Sequence, residues 1–202
     1  MMEKGYEKEY KWRADDAILN HALLWASAHI KTQSRTFHMK SQYFDTPDGF
    51  LHKQNTALRL RRENQTSICC MKRGNHNTPE GMRSHEEYQC EADSIQEGLS
   101  LLPQHGAPAE LCADIAVAPL KVTCEVTFTR SALLLQEDNT VCELALDRGA
   151  LYHNGKSAPL CEIELEFIAG DEKTFHALAA SLAAYLSLTP EPLSKLERAL
   201  AL

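Results

Sequence analysis

No C-x-x-C pair, G-x-S-x-G turn, H-E-x-x-H helix or Gly/Ser-rich linker occurs in these 202 residues. Each absence excludes something. The seven cysteines stand singly or as the adjacent Cys69-Cys70, so zinc and thioredoxin-like sites are unsupported and reduced, buried thiols are expected. Without the serine-nucleophile or zinc-protease signatures, those hydrolase chemistries have no carrier. The longest apolar stretch, over 177–188, is too short and interrupted to span a bilayer, and 1–11 is charged where a secretory signal needs an apolar run. A cytoplasmic protein without a membrane partner is expected. With 21 Lys+Arg against 28 Asp+Glu, the net charge of −7 gives no basic excess for bulk nucleic-acid binding. No repeat or low-complexity tract divides the chain, so a single domain over 1–202 is expected.

Short strand-like runs fill much of the sequence. They fall at about 7–12, 40–45, 56–63, 66–73, 84–92, 120–136, 140–148 and 160–168. Turn signals separate them: Thr46-Pro47-Asp48-Gly49, Gly74-Asn75 and Asn154-Gly155. Helical spacing appears over 15–30, with Leu19, Leu23, Ala26 and Ile30 on one stripe, and over 172–186, with Phe175, Leu178, Leu182 and Tyr185. Shorter helices are expected over 95–102 and 194–200. The fold class that follows is α+β, a large antiparallel sheet with helices packed on it.

Charge is distributed unusually over the strands. Residues at i, i+2 and i+4 share a face, so Glu7, Glu9 and Lys11 lie together, as do Arg59 with Arg61, Glu87 with Glu91, Glu143 with Asp147, and Glu162 with Glu164 and Glu166. Leu58, Leu60, Leu144, Leu146, Ile163, Leu165 and Phe167 occupy the opposite faces. One such strand alone describes an antiparallel sheet wetted on one side. Several strands with runs of a single sign are different, because like charges repel unless opposite charges or a ligand face them. A sheet closed into a barrel with helices outside would pack its apolar faces outward and line a tunnel with the charged ones. Carboxylates hold Mg²⁺ or Mn²⁺ and arginine or lysine binds phosphoryl oxygen, so the expected ligand is a metal polyphosphate complex.

The segment Glu7-Lys8-Glu9-Tyr10-Lys11 matches the E-x-E-x-K signature of the CYTH, or triphosphate tunnel, superfamily. Tyr43-Phe44-Asp45-Thr46-Pro47, Ala57-Leu58-Arg59-Leu60-Arg61-Arg62, Met71-Lys72, Glu87-Tyr88, Phe128-Thr129-Arg130, the 143–149 run ending Asp147-Arg148-Gly149, the 161–166 run and Leu193-Ser194-Lys195 follow in the family's order. Within the superfamily the chain resembles the bacterial inorganic triphosphatases. The resemblance implies an eight-stranded antiparallel β-barrel with helices outside, a divalent metal, and cleavage of a terminal phosphoryl group. No contribution is expected from the helical CHAD domain that often follows in those relatives.

The resemblance also assigns roles. Lys11, Arg59, Arg61 and Lys72 match catalytic, phosphate-gripping positions, with Arg130, Lys195 and Glu87 joining them around the substrate. Glu7, Glu9, Glu162 and Glu164 match metal positions, and Arg83, Glu143, Asp147 and Glu166 are further candidates. Two departures stand out: His85 occupies a position where relatives have arginine, with Arg83 two residues earlier, and the family's Arg-Gly-Tyr becomes Arg198-Ala199-Leu200. His85 and His153 read as surface or hydrogen-bonding residues. Arg130 alternates with Phe128 and Val126, so parity leaves its direction open. The Glu162-Glu164-Glu166 strand is expected to be strained without metal, so that neutralising Glu164 would cost no stability. The expected substrate is a small triphosphate such as inorganic tripolyphosphate, and the assembly a monomer or homodimer. An adenylyl cyclase, a thiamine triphosphatase and a non-catalytic polyphosphate-binding module remain alternatives.

Overall fold

The computed structural model describes residues 6–29, 34–78 and 81–202. Eight antiparallel strands form a closed barrel: β1 (Tyr6–Arg13), β2 (Arg35–Asp45), β3 (Thr56–Glu63), β4 (Thr66–Asn77), β5 (Met82–Glu91), β6 (Lys121–Glu137), β7 (Thr140–His153) and β8 (Lys156–Ala169). Their order is β5-β4-β3-β2-β6-β7-β8-β1, and the β1–β5 pairing closes the ring. A two-residue strand, β9 (Thr189–Pro190), adds to β1 at Trp12 and Arg13. Two-residue turns with left-handed backbone make three of the hairpins, at Asn64-Gln65, Asp138-Asn139 and Asn154-Gly155. Asparagine, aspartate and glycine tolerate positive φ, and such turns match the twist of the strands they join. Gly74-Asn75, expected to end a strand, instead sits within β4. The register with β5 shifts between Arg73 and His76 there, and the positive φ of Gly74 lets the chain bulge and continue.

Helices cover the outside of the wall. α1 (Asp16–Ala26), capped by the Asp15 carboxylate on Ile18 N, and α5 (Glu172–Leu186), capped by Asp171, bury Leu19, Ala22, Trp25, Phe175, Leu178 and Leu182 against the outer faces of β1, β6, β7 and β8. The expected stripes are therefore displaced: Leu23 and Tyr185 are exposed, Ala22 and Trp25 are buried, and Ile30 lies outside the described residues. α2 (Phe50–Lys53), α3 (Ile95–Leu101), a 3-10 turn (Leu102–His105) and α4 (Ala109–Ala116) cover β3, β4 and β5 through Leu51, Ile95, Leu99, Leu102, Cys112 and Ile115. Six of the seven cysteines are buried and all are free thiols, which agrees with the reading of small core residues.

The inner surface is divided. Along β6, Arg130, Phe128 and Val126 all point inward, but α6 (Lys195–Leu200) seats Leu196, Ala199 and Leu200 against Met39, Val126, Phe128, Leu151 and Leu160. Parity thus holds. The inner face is apolar where this C-terminal helix plugs the barrel and charged beyond it.

Candidate active site

A cavity of about 1240 Å³ runs through the charged part of the barrel. β1 contributes Glu7, Glu9 and Lys11; β3, Arg59 and Arg61; β4, Lys72; β5, Arg83 and Glu87; β6, Arg130; β7, Glu143; β8, Glu164 and Glu166; and α6, Lys195. Each strand residue is where alternation places it. Glu162 and Asp147 do not line the cavity; both are fully buried behind its wall. Lys8, on the opposite face of β1 from Glu7 and Glu9, turns to α5 and pairs with Glu172 at 2.5 Å, both of them bordering the cavity.

Two groups of donors emerge among the described residues. Glu7, His85 and Glu87 form the first, and Asp147, Glu162 and Glu164 the second, the three ligand atoms of each lying within 4.8 Å of one another. Their counter-charges differ. In the second group Lys195 reaches Asp147 at 2.9 Å, Glu164 at 2.8 Å and also Glu162. Arg130 grips Asp147 through two hydrogen bonds of 2.7 Å and also binds Glu164, while Arg198 binds Glu162 at 2.6 Å. Three cations therefore meet three carboxylates, which corrects the expectation of an uncompensated acidic strand. Burial pushes Glu162 up to about 7 against the pull of Lys195. Although burial opposes it, Lys195 and Arg130 hold Glu164 well below the usual carboxylate range.

In the first group Lys72 is the central cation, 3.0 Å from Glu7 and 2.6 Å from Glu87. Arg59 stands 3.7 Å from Glu87, whose other partner is the Cys70 thiol, donating at 3.1 Å. Burial, with the Glu87 charge beside it, pushes Glu7 up; at Glu87 burial is outweighed by Lys72, Glu7, His85 and Arg59 acting together, which hold it well below the ordinary value. His85 is buried inside the site and hydrogen-bonded there, so its surface reading is wrong and its hydrogen-bonding reading correct. His153 is likewise hydrogen-bonded, to Thr123 O at 2.8 Å.

Some charged groups have no counter-charge. Glu9 faces Glu166 across the β1–β8 pairing, and Glu166 faces Glu143 across β7–β8. Among the described residues no lysine or arginine nitrogen lies within 4.0 Å of these three carboxylates. Directly opposed like charges destabilise a sheet, and burial followed by the Glu7 charge pushes Glu166 up to about 8. On the cationic side, the Nε groups of Arg59, Arg61 and Arg83 are buried without a hydrogen-bond partner. Lys11, its pKa lowered by burial, donates to the Leu193 carbonyl at 2.5 Å.

The Glu166 shift carries a stability consequence. With its folded pKa near 8 and an ordinary value of 4.5, the metal-free protein loses stability as pH rises between the two, because only the unfolded chain readily releases this proton. Glu166→Gln is expected to raise the metal-free melting temperature above pH 8 and leave it unchanged near pH 4.5. Equal melting curves across that range would show that the carboxylate is solvated.

Sequence reasoning missed Arg198, Glu63 and His85 as parts of the site. Arg198 reaches Glu162 from the last helix, and Glu63 pairs with Arg61. The alternation Arg59-x-Arg61-x-Glu63 carried the signal for Glu63; nothing local carried it for Arg198.

A sequence model of the CYTH domain matches residues 5–200. The chain belongs to the CYTH domain family. An inorganic triphosphatase of Haemophilus influenzae is 28% identical over 129 residues, which are 64% of this chain and 36% of that protein. The match thus spans about a third of the relative's length. The CYTH fold is shared with a Hippeastrum protein described as a putative adenylyl cyclase with dominant triphosphatase activity, at TM-score 0.72 and 20% identity over 96% of this chain and 95% of that one. A Pyrococcus horikoshii protein superposes at TM-score 0.60 with 18% identity over 96% and 98% of the two chains. For this CYTH chain, no helix among the described residues is long and apolar enough to cross a membrane.

Proposed function

We propose that this CYTH chain is a divalent-metal-dependent phosphohydrolase of small triphosphates, cleaving inorganic tripolyphosphate to pyrophosphate and phosphate in the cytoplasm. One observation carries the reading: the buried Nε atoms of Arg59, Arg61 and Arg83, which lack a hydrogen-bond partner, share a cavity with Glu9, Glu143 and Glu166, whose carboxylates have no lysine or arginine nitrogen within 4.0 Å among the described residues. An anion alone would satisfy the former and aggravate the latter. A metal polyphosphate satisfies both.

The donor chemistry fits a hard cation. Glu7, Glu9 and Glu164 present carboxylate oxygens to the cavity, the ligand type that Mg²⁺ and Mn²⁺ favour, while Glu162 is buried and held by Lys195 and Arg198. A bound ion would act as a Lewis acid that neutralises phosphoryl oxygen. The chain's own residues do the rest. Lys11, Arg59, Arg61 and Lys72 orient the phosphate chain and take up the charge that spreads over equatorial oxygens as the terminal bond breaks, while Arg130 and Lys195 add positive potential from the far wall. Water is the nucleophile. The Haemophilus relative and the Hippeastrum neighbour, both named for triphosphatase activity, support this choice of chemistry.

The test offers the purified protein tripolyphosphate, thiamine triphosphate and ATP in parallel with Mg²⁺ or Mn²⁺, and separates the products. Phosphate and pyrophosphate from tripolyphosphate, at the highest kcat/KM of the three, are expected. Cyclic AMP as the main product would convert the assignment to a cyclase, and binding without turnover would reduce the tunnel to a polyphosphate module.

A further inference from the structure

Three donor atoms in the first group converge on one point, and a cation stands there. Lys72 Nζ lies 3.0 Å from Glu7 Oε2, 2.6 Å from Glu87 Oε2 and 2.9 Å from His85 Nε2. His85, only 5% exposed, holds Nε2 at 3.2 Å from Glu7 Oε2 and 3.6 Å from Glu87 Oε2. This is the donor set of a metal centre with an ammonium in the ion's place.

Charge balance separates this set from its neighbour. Asp147, Glu162 and Glu164 are matched by Lys195, Arg130 and Arg198, so an incoming dication would displace or face three cations. Glu7 and Glu87 share one close cation, with Arg59 farther off, and the uncompensated Glu166 interacts with both of them. Acidic side chains outnumber the cations on this side of the tunnel. Here a dication replaces one ammonium and gains two carboxylates.

We propose that Glu7, His85 and Glu87 form a divalent-cation site with one nitrogen ligand, which takes Mn²⁺ in preference to Mg²⁺, and that Lys72 leaves its centre when the ion enters. An imidazole nitrogen is a good ligand for transition metals and a poor one for Mg²⁺, which demands oxygen and keeps its waters. The arginine expected at position 85 from the family resemblance could not ligate; the histidine of this chain can. Lys72 and the ion compete for the same three atoms, so entry of the metal frees the ammonium for a phosphoryl oxygen. The proposal rests on the metal-binding reading of the tunnel and adds to it an identified nitrogen ligand, a metal preference and a displaced lysine.

Pulsed EPR of the full chain loaded with Mn²⁺ alone tests this directly. Nitrogen modulation of the Mn²⁺ echo is expected, changing when the protein is grown with heavy-nitrogen histidine, lost in His85→Gln, and retained in His52→Gln, whose histidine lines the mouth of the same cavity. His85→Gln should weaken Mn²⁺ binding on the order of tenfold and Mg²⁺ binding far less. Lys72→Met should bind Mn²⁺ more tightly than wild type and keep the histidine signal. That variant decides the matter even where His85→Gln folds poorly. Bound Mn²⁺ with no histidine coupling, or coupling that survives His85→Gln, would overturn the proposal while leaving metal binding intact. Failure to bind Mn²⁺ with or without tripolyphosphate would overturn the metal reading as well.

Discussion

Lys72→Ala and Arg59→Ala are each expected to lower kcat/KM for tripolyphosphate by about 10²–10³, the scale on which one preorganised charge donor contributes to a transition state. Both side chains are held in the cavity wall before any ligand arrives, Lys72 by Glu7 and Glu87 and Arg59 near Glu87. Burial disfavours their charge, yet both pKa values are raised above the ordinary ones because the neighbouring acids outweigh it. Each therefore enters the reaction as a cation. Because charge on the equatorial oxygens grows as the terminal bond breaks, the loss should fall on kcat as well as KM. Lys8→Ala, on the outer side and paired with Glu172, provides the control. Equal losses in Lys8→Ala and Arg59→Ala would mean that the inner and outer faces of the barrel are misassigned.

The second large effect is on stability. Lys195→Met removes the one cation that touches Asp147, Glu162 and Glu164 together, and leaves Arg130 and Arg198 to serve three buried carboxylates. Stranding buried charge in this way costs about 3–5 kcal/mol, read as a lowered urea midpoint. Adding Glu162→Gln to that background should recover part of the loss, since one fully buried carboxylate is then neutral. By the same reasoning Glu164→Gln is destabilising on its own, because it removes the charge that faces both Arg130 and Lys195 and sets an amide NH₂ against one of them. Additive losses in the Lys195→Met, Glu162→Gln double variant would contradict the network.

Much of this was legible in the sequence. The 7–9–11, 59–61 and 162–164–166 alternations put the right side chains on the inner wall, because strand parity is local and leaves few choices. Asn154-Gly155 likewise marked a turn that exists. What periodicity could not carry was the pairing of charges between distant elements. Lys195 and Arg198 neutralise Glu162 from a helix more than thirty residues away, so the acidic strand looked uncompensated when only Glu166 remains so. His85 gave no local sign of its neighbours, since Lys72 meets it only through the β4–β5 pairing. α4 is eight residues long with two buried positions, Cys112 and Ile115, too faint a stripe to separate from loop. The left-handed Gly74 reads equally well as a turn or a bulge until its partner strand is known.

The central claim is that arginine Nε groups without a partner and carboxylates without a close cation share one tunnel because a metal triphosphate joins them and is hydrolysed there. The most direct measurement follows phosphate release from tripolyphosphate in metal-stripped protein, then after addition of Mg²⁺ or Mn²⁺, then after excess chelator. Turnover that is absent, appears with the metal and disappears with the chelator, with one pyrophosphate formed for each phosphate, is the predicted result. Full turnover in excess chelator, or none under any of the three conditions, would contradict it.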